Sequence, residues 1–421
     1  MERLGSRLIE LFPDTAAVEN GELVVGGMRA SALADEFGTP LVVYCRATVL
    51  AHARAYARVD PQALVVYGTK AFPNVALLKL LAAEGLGADV STRGELEFAL
   101  RAAVPAERLV FHGNNKSDEE LSAAAAAGAL VVLDALDEIP RAASAGAQRV
   151  LVRLTPGIEA ETHRSIQTAH AESKFGLAPD DALEAVRSAR AAGLDVAGLH
   201  AHIGSQLSRA DESLVAVDRL VELAVRCQEE LGWTPQIFDL GGGLGVRQTL
   251  AETFPEAEEF ARAVVGRLRE RWSEPASLIL EPGRSLIGRA GITLYRVGVV
   301  KATAGVAYAA IDGGMSDNPR PQLYGSRYEA LLANRADDPA AGTYRIAGKH
   351  CESGDVLIDA VKLPVPQRND LLAVPATGAY TLGMASNYNG VPRPAAVLVA
   401  GGQAELIRRR ESIDDLLSFE R

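Results

Sequence analysis

Lys70 is the residue of this sequence whose type and setting most directly suggest covalent chemistry. It lies in YGTKAFPN, residues 67–74, directly after a short apolar run that predicts a buried strand. A lysine at the end of such a strand can be partly buried beside other charges, which favours the neutral amine that forms a Schiff base. An ordinary solvated lysine fits the same position, so Lys70 alone does not decide the function.

A phosphate-binding cup is predicted from two glycine-bearing segments later in the chain. The first holds Gly241, Gly242 and Gly243 directly after a predicted strand, and the second holds Gly283 and Arg284 in EPGR. Glycines let backbone N–H groups approach a phosphate closely, and an arginine binds phosphate through two parallel hydrogen bonds. Each segment alone would also fit a turn, but the two together favour a phosphate.

Carboxylates and histidines accompany these segments. Asp89 follows the second predicted strand and could either cap a helix or orient Lys70, while Glu281 opens EPGR. His200 and His202 are two residues apart, so their side chains point to the same face of a strand. Two histidines can begin a metal site, but no third ligand at suitable spacing is evident, and we predict no metal. A buried structural histidine and one that stacks on a ring both stay open.

A lysine nucleophile, a phosphate cup and a carboxylate at one mouth are what pyridoxal 5′-phosphate requires. Paired with the pyridine nitrogen, Glu281 would keep that nitrogen protonated and make the ring a strong electron sink. Such a sink suits decarboxylation, because the electrons left by the departing CO2 must be delocalised. A racemase tends to have an arginine at that place. These residues therefore favour an amino-acid decarboxylase.

The elements that must position these residues alternate between strands and helices from residue 41 to 290. Eight short apolar runs predict strands: Ala63–Tyr67, Ala88–Ser91, Leu109–His112, Leu130–Leu133, Val150–Leu154, Val196–His202, Gln236–Leu240 and Leu278–Glu281. Amphipathic stretches such as Asn74–Glu84 and Asp211–Glu230 predict the helices between them. This alternation predicts an α/β fold with a (β/α)8 TIM barrel over 41–290, in which the strand ends converge on one mouth.

After residue 290 the pattern changes to short strands with little helix, which predicts a mainly β C-terminal domain over 291–421. The predicted strands are Val297–Val300, Tyr308–Ile311, Asp355–Val361, Leu371–Val374 and Ala396–Leu398, followed by a closing helix over Glu411–Phe419. Residues 1–40, with a possible strand at Leu23–Val25, are expected to pack with this domain. Cys351 lies there beside Lys349, His350 and Glu352, where a reactive thiol is credible, although a lone cysteine is usually a small buried residue.

Composition and charge exclude several classes of protein. The chain has 421 residues and a net charge of −11, which disfavours nucleic acid and anionic membranes as partners. Its N-terminus lacks the apolar core of a signal peptide, and no apolar run approaches the ~18 residues of a membrane span. Three cysteines, far apart and in no metal spacing, suit a reducing compartment. We therefore expect a cytoplasmic enzyme that acts on a small molecule.

The sequence resembles the diaminopimelate decarboxylase family, within the alanine-racemase-like, fold-type III group of pyridoxal-phosphate enzymes. The resemblance runs from about residue 40 to 410 and is carried by YGTKAFPN, GADVSTRGELEFA, FHGNNKSDEEL, GLHAHIGSQ, DLGGGLGV, EPGRSLI, RPQLYGS, CESGDVL and GAYTLGMASNYNG. The single motifs are modestly specific. CESGD, RPxLYG and EPGR together separate this family from its relatives.

The resemblance implies a reaction and a role for each matched residue. The reaction is meso-2,6-diaminopimelate to L-lysine plus CO2, the last step of lysine biosynthesis, in a homodimer whose active sites are completed in trans. Lys70 forms the Schiff base with Asp89 nearby, and His202 stacks on the pyridine ring. The implied cofactor ligands are Ser205, Gly241, Gly242, Gly243, Glu281, Gly283, Arg284 and Tyr380. The implied substrate ligands are Arg284, Arg320, Tyr324, Glu352 and Tyr380, with Cys351 as the proton donor.

The sequence departs from the family pattern at two motifs and contains one long loop that resembles a family feature. The lysine motif often reads YAxKAN, whereas here Phe72 follows Ala71, and the continuation after Tyr324 lacks the commoner histidine. Neither change removes a functional group. Residues 155–176, including Glu159, Glu161, His163, Arg164 and Lys174, resemble the family's active-site loop, a length typical of a functional segment.

Three other functions stay open beside this one. The first is a related decarboxylase of a basic amino acid or carboxy-polyamine, whose cationic substrate would need an acidic residue in place of Arg284 and Arg320. The second is a silent homologue that binds the cofactor and regulates a partner, which would be expected to lack Lys70 or Cys351. The third is a racemase, against which Glu281 argues.

Overall fold

The computed structural model describes residues 7–157 and 173–420, and these fall into two compact units. The first unit comprises His52–Gly245 and Phe254–Ser285. The second comprises the residues up to Ala51, Val246–Thr253 and the residues from Leu286 onward. The chain thus begins in the second unit and then forms the first. It rejoins the second unit at Val246–Thr253 and again from Leu286 onward. Within the described residues, no helix is both long enough and apolar enough to cross a membrane.

Strands are numbered here in chain order through the described residues. They are β1 (Ala17–Glu19), β2 (Glu22–Val25), β3 (Met28–Arg29), β4 (Leu41–Cys45), β5 (Leu64–Gly68), β6 (Gly87–Val90), β7 (Leu109–Phe111), β8 (Leu130–Leu133), β9 (Arg149–Arg153), β10 (Asp195–His200), β11 (Ile237–Asp239), β12 (Ser277–Leu280), β13 (Gly291–Thr303), β14 (Val306–Ile311), β15 (Leu331–Leu332), β16 (Gly342–Ala347), β17 (Val356–Leu363), β18 (Leu371–Val374), β19 (Ala395–Ala400) and β20 (Gln403–Arg408).

The α-helices of the same residues are numbered likewise. They are α1 (Ala30–Phe37), α2 (Arg46–Ala57), α3 (Val75–Ala83), α4 (Arg93–Arg101), α5 (Asp118–Ala126), α6 (Glu138–Ser144), α7 (Pro179–Ala191), α8 (Asp211–Leu231), α9 (Ala257–Arg271), α10 (Arg284–Ile287), α11 (Arg320–Tyr324) and α12 (Ile413–Leu417). The predicted closing helix over Glu411–Phe419 is present as the shorter α12.

The first unit is a closed barrel of parallel strands, β5 to β12, with β12 pairing back to β5. Each of the eight strands predicted from apolar runs is present, Leu130–Leu133 with the predicted bounds and the others with ends shifted by at most two residues. The predicted fold class, a (β/α)8 barrel followed by a mainly β domain, is therefore confirmed. The strands' inward side chains fill the barrel; they are Val66, Val110, Val132, Leu151, Ala197, Ile237 and Ile279.

Capping side chains begin the helices that follow the barrel strands. Asn74 starts α3 by accepting the N–H of Leu77, and Thr92 starts α4 in the same manner. Ser117 and Glu120 form a reciprocal capping box at the start of α5. These caps satisfy N–H groups that the first turn of a helix leaves unpaired, and they fix where each loop at the barrel mouth ends.

The second unit is built on a sheet ordered β17-β16-β14-β13-β4-β19-β20, with β15 and β18 attached through β13. The long strand β13 pairs with β4 and β18 in its first half and with β14 in its second. The run Leu41–Cys45, which the sequence analysis placed at the start of the barrel domain, lies in this sheet between β13 and β19. It is buried throughout, and a buried apolar run does not reveal which sheet it joins.

The N-terminal segment contributes a small sheet, β1-β2-β3, and helix α1 to the second unit. Leu23 and Leu33 share one apolar core with Leu41, Leu294 and Val397, which come from β4, β13 and β19. A second core packs Tyr295 and Val297, on the opposite face of β13, against β14 and β17.

Candidate functional site

Lys70 lies in a short turn, Thr69–Ala71, directly after β5. Its Nζ is 2.8 Å from Oδ2 of Asp89, and these two residues are neighbours because Gly68 pairs with Asp89 between β5 and β6. Thr69 Oγ1 donates to the carbonyl of Asp89 at 2.5 Å. Asp89 is buried, whereas the Lys70 side chain is 45 % exposed, so the amine is oriented by a fixed carboxylate and still reachable from outside.

A buried cluster surrounds Glu281, the residue that follows β12. His112 Nε2 lies 2.5 Å from Glu281 Oε1, and His200 Nε2 lies 3.4 Å from Oε2. Burial alone would raise the pKa of Glu281, but the two histidines outweigh it and hold that pKa well below its ordinary value. Burial lowers the pKa of His200 to about 4, so its ring is neutral near pH 7. The cluster therefore keeps Glu281 ionised inside the barrel.

Asp239, at the end of β11, is fully buried beside this cluster. Its Oδ1 accepts the N–H of Gly241 at 3.0 Å. Burial and the charge of Glu281 raise the pKa of Asp239 well above its ordinary value, so Asp239 keeps its proton to a higher pH than Glu281. The pKa values of the two neighbouring carboxyl groups thus shift in opposite directions, because the histidines lower that of Glu281.

Four side chains of this region offer possible metal-binding atoms within 4.8 Å of one another: His112, His200, Asp239 and Glu281. The sequence did not indicate this group, because His112, Asp239 and Glu281 follow or end three strands other than the one that carries His200. The carboxylate of Glu281 is already contacted by both histidines. The expectation of no metal stays a prediction.

The predicted phosphate cup lies at the ends of β10, β11 and β12. Gly241 and Gly243 have φ of +63° and +128°, conformations that favour glycine. A Cβ on Gly242 would lie 2.2 Å from the carbonyl oxygen of Glu281, so the two segments approach too closely for a side chain there. The guanidinium of Arg284 donates twice to Ser205 Oγ, at 3.1 Å from both Nε and Nη2.

His202 lies against the same glycines. Its Nδ1 accepts the N–H of Gly242 at 3.2 Å, which fixes the ring and shows that this nitrogen carries no proton. Burial, with a further contribution from the positive charge of Lys70, holds the pKa of His202 well below its ordinary value. His202 is therefore a neutral, oriented ring, whereas His200, on the same strand face, belongs to the Glu281 cluster.

Sequence reasoning missed three residues of this mouth: His112, Arg153 and Asp239. Arg153 is buried at the end of β9, 3.4 Å from Asp134. Burial lowers its pKa, while Asp134, Glu281 and Asp89 act in the opposite direction. All three residues lie at or next to the C-terminal end of a predicted barrel strand, and that position is the signal that could have found them.

The other predicted site residues lie in the second unit. Arg320 begins α11, is 2 % exposed, and stacks its guanidinium 5.1 Å from the ring of Tyr324. Cys351 and Glu352 lie in the loop between β16 and β17 and are exposed. Tyr380 has φ +57°, a strained value for a residue with a side chain. Of the predicted active-site loop 155–176, residues 158–172 lie outside the described residues, Glu159, Glu161, His163 and Arg164 among them.

Comparison with known proteins identifies the family. Residues 46–288 match the model of the pyridoxal-dependent decarboxylase, pyridoxal binding domain. The diaminopimelate decarboxylase of Actinosynnema pretiosum subsp. auranticum is 44 % identical, over 97 % of this chain and 95 % of that protein. The chain belongs to the diaminopimelate decarboxylase family. The family member of Bacillus subtilis (strain 168) is 40 % identical over 96 % of each chain.

Solved structures of diaminopimelate decarboxylases have the same fold. The one from M. jannaschii, in complex with L-lysine, has a TM-score of 0.90 and 32 % identity, covering 97 % of this chain and 98 % of that one. The Helicobacter pylori enzyme, also with L-lysine, has a TM-score of 0.86 and 28 % identity, over 93 % and 98 % of the two chains.

The cofactor of diaminopimelate decarboxylases is pyridoxal phosphate, and the barrel mouth of this chain fits it. The mouth offers an oriented amine at Lys70, an ionised carboxylate at Glu281 and a neutral ring at His202. Its glycine segment has no room for a Cβ at Gly242, and Arg284 is hydrogen-bonded to Ser205. These are the groups that a phosphate-bearing pyridine aldehyde requires.

Proposed function

We propose that this chain decarboxylates meso-2,6-diaminopimelate to L-lysine and CO2, the last step of lysine biosynthesis, with pyridoxal phosphate held covalently by Lys70. One observation carries the proposal. A reachable lysine and a carboxylate kept ionised by two histidines occupy the mouth of a barrel that belongs to this family. The bound cofactor supplies an electron sink for the bond that loses CO2.

The residues predicted from the sequence for the barrel mouth each have a role in this proposal. Glu281 would hold the pyridine nitrogen of the cofactor and keep it protonated, because a buried carboxylate strongly favours a proton on its neighbour. His202 would stack on the pyridine ring, while Asp89 orients the amine of Lys70. The phosphate would be held by Ser205, Gly241, Gly242, Gly243, Gly283 and Arg284, with Tyr380 as a further ligand.

Substrate recognition is assigned to groups suited to a second, distal carboxylate. Arg284 and Arg320 are cations, and the guanidinium of Arg320 is held in place by Tyr324 and by Ser326 Oγ at 3.2 Å. Glu352 and Tyr380 complete the assigned ligands. Cys351 is the proposed proton donor. A diaminopimelate carboxylate favours such arginines, whereas a substrate with a distal ammonium would be repelled by them.

The proposal includes a homodimer in which each active site is completed by the partner subunit. The exposed positions of Cys351 and Glu352 support it, because functional groups on a surface can serve a neighbouring chain. A cytoplasmic location belongs to the same proposal, since Cys351 needs a reduced thiol to deliver a proton.

The activity is tested with purified protein and the cofactor. We expect CO2 release and L-lysine formation from meso-diaminopimelate, with at most trace release from ornithine, arginine or lysine. Comparable turnover of those three would favour the alternative, a related basic amino-acid or carboxy-polyamine decarboxylase. The absence of turnover with all of these substrates would contradict both functions.

The covalent role of Lys70 is tested by borohydride reduction. We expect the wild-type protein to show the visible absorbance band of a lysine-bound cofactor and to retain the cofactor covalently after reduction. The Lys70→Ala variant should lose both properties, because no other amine of the described barrel mouth is placed for them. Lys116→Ala is unsuitable as a control because Lys116 is buried and bonded to Glu138. The exposed Lys79, on α3, offers Lys79→Ala as the matched control. Covalent retention in Lys70→Ala would contradict the assignment.

A further inference from the structure

Asp355 lies where two loops of the second unit meet, the first loop, residues 312–319, and the second loop, residues 348–355. The residue is 3 % exposed. Oδ1 accepts the N–H of Met315 at 2.7 Å, and Oδ2 accepts the N–H of His350 at 2.9 Å. A carboxylate is suited to this place because each of its oxygens can accept a hydrogen bond and neither carries a hydrogen that must be donated. Asp355 therefore connects the two loops through their backbones.

The space around this carboxylate is shaped by two glycines, one from each loop. A Cβ on Gly348 would lie 2.0 Å from Asp355 Oδ2. A Cβ on Gly314, which has φ +155°, would lie 2.6 Å from both carboxylate oxygens. Real side chains cannot approach so closely, so both loops are closed around Asp355 at positions that lack a side chain.

Further contacts connect the same two loops. The N–H of Ser316 donates to His350 Nε2 at 3.3 Å, and Ser316 Oγ lies 2.9 Å from the same nitrogen. The N–H of Lys349 donates to the carbonyl of Gly313 at 3.0 Å. The ring of His350 is also 5.6 Å from that of Tyr388. The loops thus form one hydrogen-bonded unit with Asp355 inside it.

The two loops carry or adjoin residues that the proposed function names as proton donor or substrate ligand. Cys351 and Glu352 follow His350 directly, and Arg320 begins α11 directly after the first loop. The N–H of Cys351 donates to Asn389 Oδ1 at 2.9 Å, which fixes the thiol's backbone on its other side. Asp355 touches none of these three side chains in the contacts described above, so any effect on them passes through the backbone.

We propose that Asp355 is a positioning residue that fixes Cys351 and Glu352 relative to Arg320 before substrate binds. The consequence for substrate rests on the proposed function, but the positioning of Cys351 does not. A displacement of about 1 Å in a reacting group can cost about a hundredfold in rate, so a buried carboxylate can control turnover without contacting substrate.

The test is the isosteric change Asp355→Asn. An amide nitrogen cannot accept a hydrogen bond, so one of the two backbone N–H groups loses its partner and the loops separate locally. We expect kcat for diaminopimelate to fall at least tenfold while the visible cofactor band is unchanged. In the absence of substrate, we expect iodoacetamide to label Cys351 at least threefold faster. The other two cysteines are buried, and Cys351→Ser supplies the blank.

Asp370→Asn is the matched control. Asp370 is also a buried aspartate of the second unit that accepts a backbone N–H, from Gln367 at 2.7 Å, but its partners lie outside both loops. A purely structural role for Asp355 predicts that both variants lower the melting temperature and otherwise behave alike. The positioning role predicts that only Asp355→Asn changes kcat and the labelling of Cys351. Equal effects, or wild-type labelling in Asp355→Asn, would overturn the proposal.

A milder variant covers the case in which Asp355→Asn does not fold. Ser316→Ala removes the hydroxyl contact to His350 and leaves Asp355 in place. It should accelerate labelling of Cys351 in the same direction by a smaller factor, and unchanged labelling would then overturn the proposal. The labelling arm uses no substrate, so it decides the positioning role even if wild-type protein fails to act on diaminopimelate.

Discussion

At the scale of single residues, the chemistry proposed for the barrel mouth depends on which of its buried carboxyl groups is ionised. Glu281 and Asp239 are both buried carboxyl groups, yet the pKa of Glu281 is lowered and that of Asp239 is raised. The difference comes from His112 and His200, which face Glu281. A single ionised carboxylate is what the proposed contact with a protonated pyridine needs.

Gly242→Ala tests how closely the phosphate segment must approach its neighbour. The added methyl group would lie 2.2 Å from the carbonyl of Glu281, so the backbone must shift and with it the phosphate-binding N–H groups. We expect the Kd for pyridoxal phosphate to rise by about tenfold or more, a loss of about 1.4 kcal/mol, measured by titrating the visible band.

Gly266→Ala is the control for this change. Gly266 lies within α9, and a Cβ there meets no atom within 4 Å. Alanine should stabilise the helix by up to about 1 kcal/mol and leave the Kd unchanged. A wild-type Kd in Gly242→Ala would mean that the glycine segment does not hold the phosphate.

At the scale of elements, the turn that leads into α11 contains a titrating group. Asp317 is buried, its Oδ1 accepts the N–H of Gly314 at 2.8 Å, and Tyr295 donates to Oδ2. Burial raises the pKa of Asp317 to about 7. The unfolded value is about 3.9, so the folded protein binds this proton more tightly. The resulting stabilisation is complete below about pH 4 and is lost as the pH rises towards 7.

Asp317→Asn should remove this part of the pH dependence. The amide oxygen can still accept from Gly314, and the side chain no longer titrates. We expect the melting temperature of the wild type to fall between pH 5 and pH 8 by more than that of the variant. Differential scanning calorimetry of both proteins in the same buffers measures the difference, and parallel curves would contradict the assigned pKa.

The barrel could be predicted well from the sequence, because the pattern that indicates each strand or helix lies within that element itself. Each barrel strand is a short apolar run bounded by a helix pattern, and capping residues such as Ser117 mark where the helices start. The second unit was predicted less completely. β4 was assigned to the barrel domain because the strands it pairs with, β13 and β19, are hundreds of residues away and leave no trace in its own sequence. β16 and β20 were not predicted because most of their residues are partly or fully exposed, so neither forms an apolar run.

The site was predictable to the extent that its residues follow strands in recognisable motifs. Lys70, Glu281 and the glycines at 241–243 were predicted in this way, and they all follow strands of the one barrel. His112 and Arg153 were given no role, although each lies at the end of a predicted strand and His112 belongs to the motif FHGNNKSDEEL. Their partners, Glu281 and Asp134, come from other strands, so these contacts appear only once the barrel is closed.

At the scale of the whole molecule, the proposed dimer can be tested by combining two inactive variants. Lys70→Ala removes the proposed covalent lysine and Cys351→Ser the proposed proton donor. If sites are completed in trans, a mixed dimer has one site in which both defects meet and one in which neither occurs. Random exchange should then restore about a quarter of wild-type activity, since half the dimers are mixed and each has one intact site.

The controls for this experiment are each variant mixed with itself. CO2 release from diaminopimelate is measured after unfolding and refolding each mixture together, so that the subunits exchange. An equal mixture of the two variants that stays inactive, while wild type treated in the same way recovers, would argue that each chain completes its own site.

Because of its place in the sheet, β4 is synthesised long before the strands with which it pairs. β4 ends at Cys45, but its neighbours are β13, which begins at Gly291, and β19, which begins at Ala395. At ribosomal rates of about 5 to 20 residues per second, roughly 20 to 70 seconds separate the emergence of β4 from that of β19. An unpaired, apolar strand is a template for aggregation, so the nascent chain must keep LVVYC from other partners while every strand of the barrel is made.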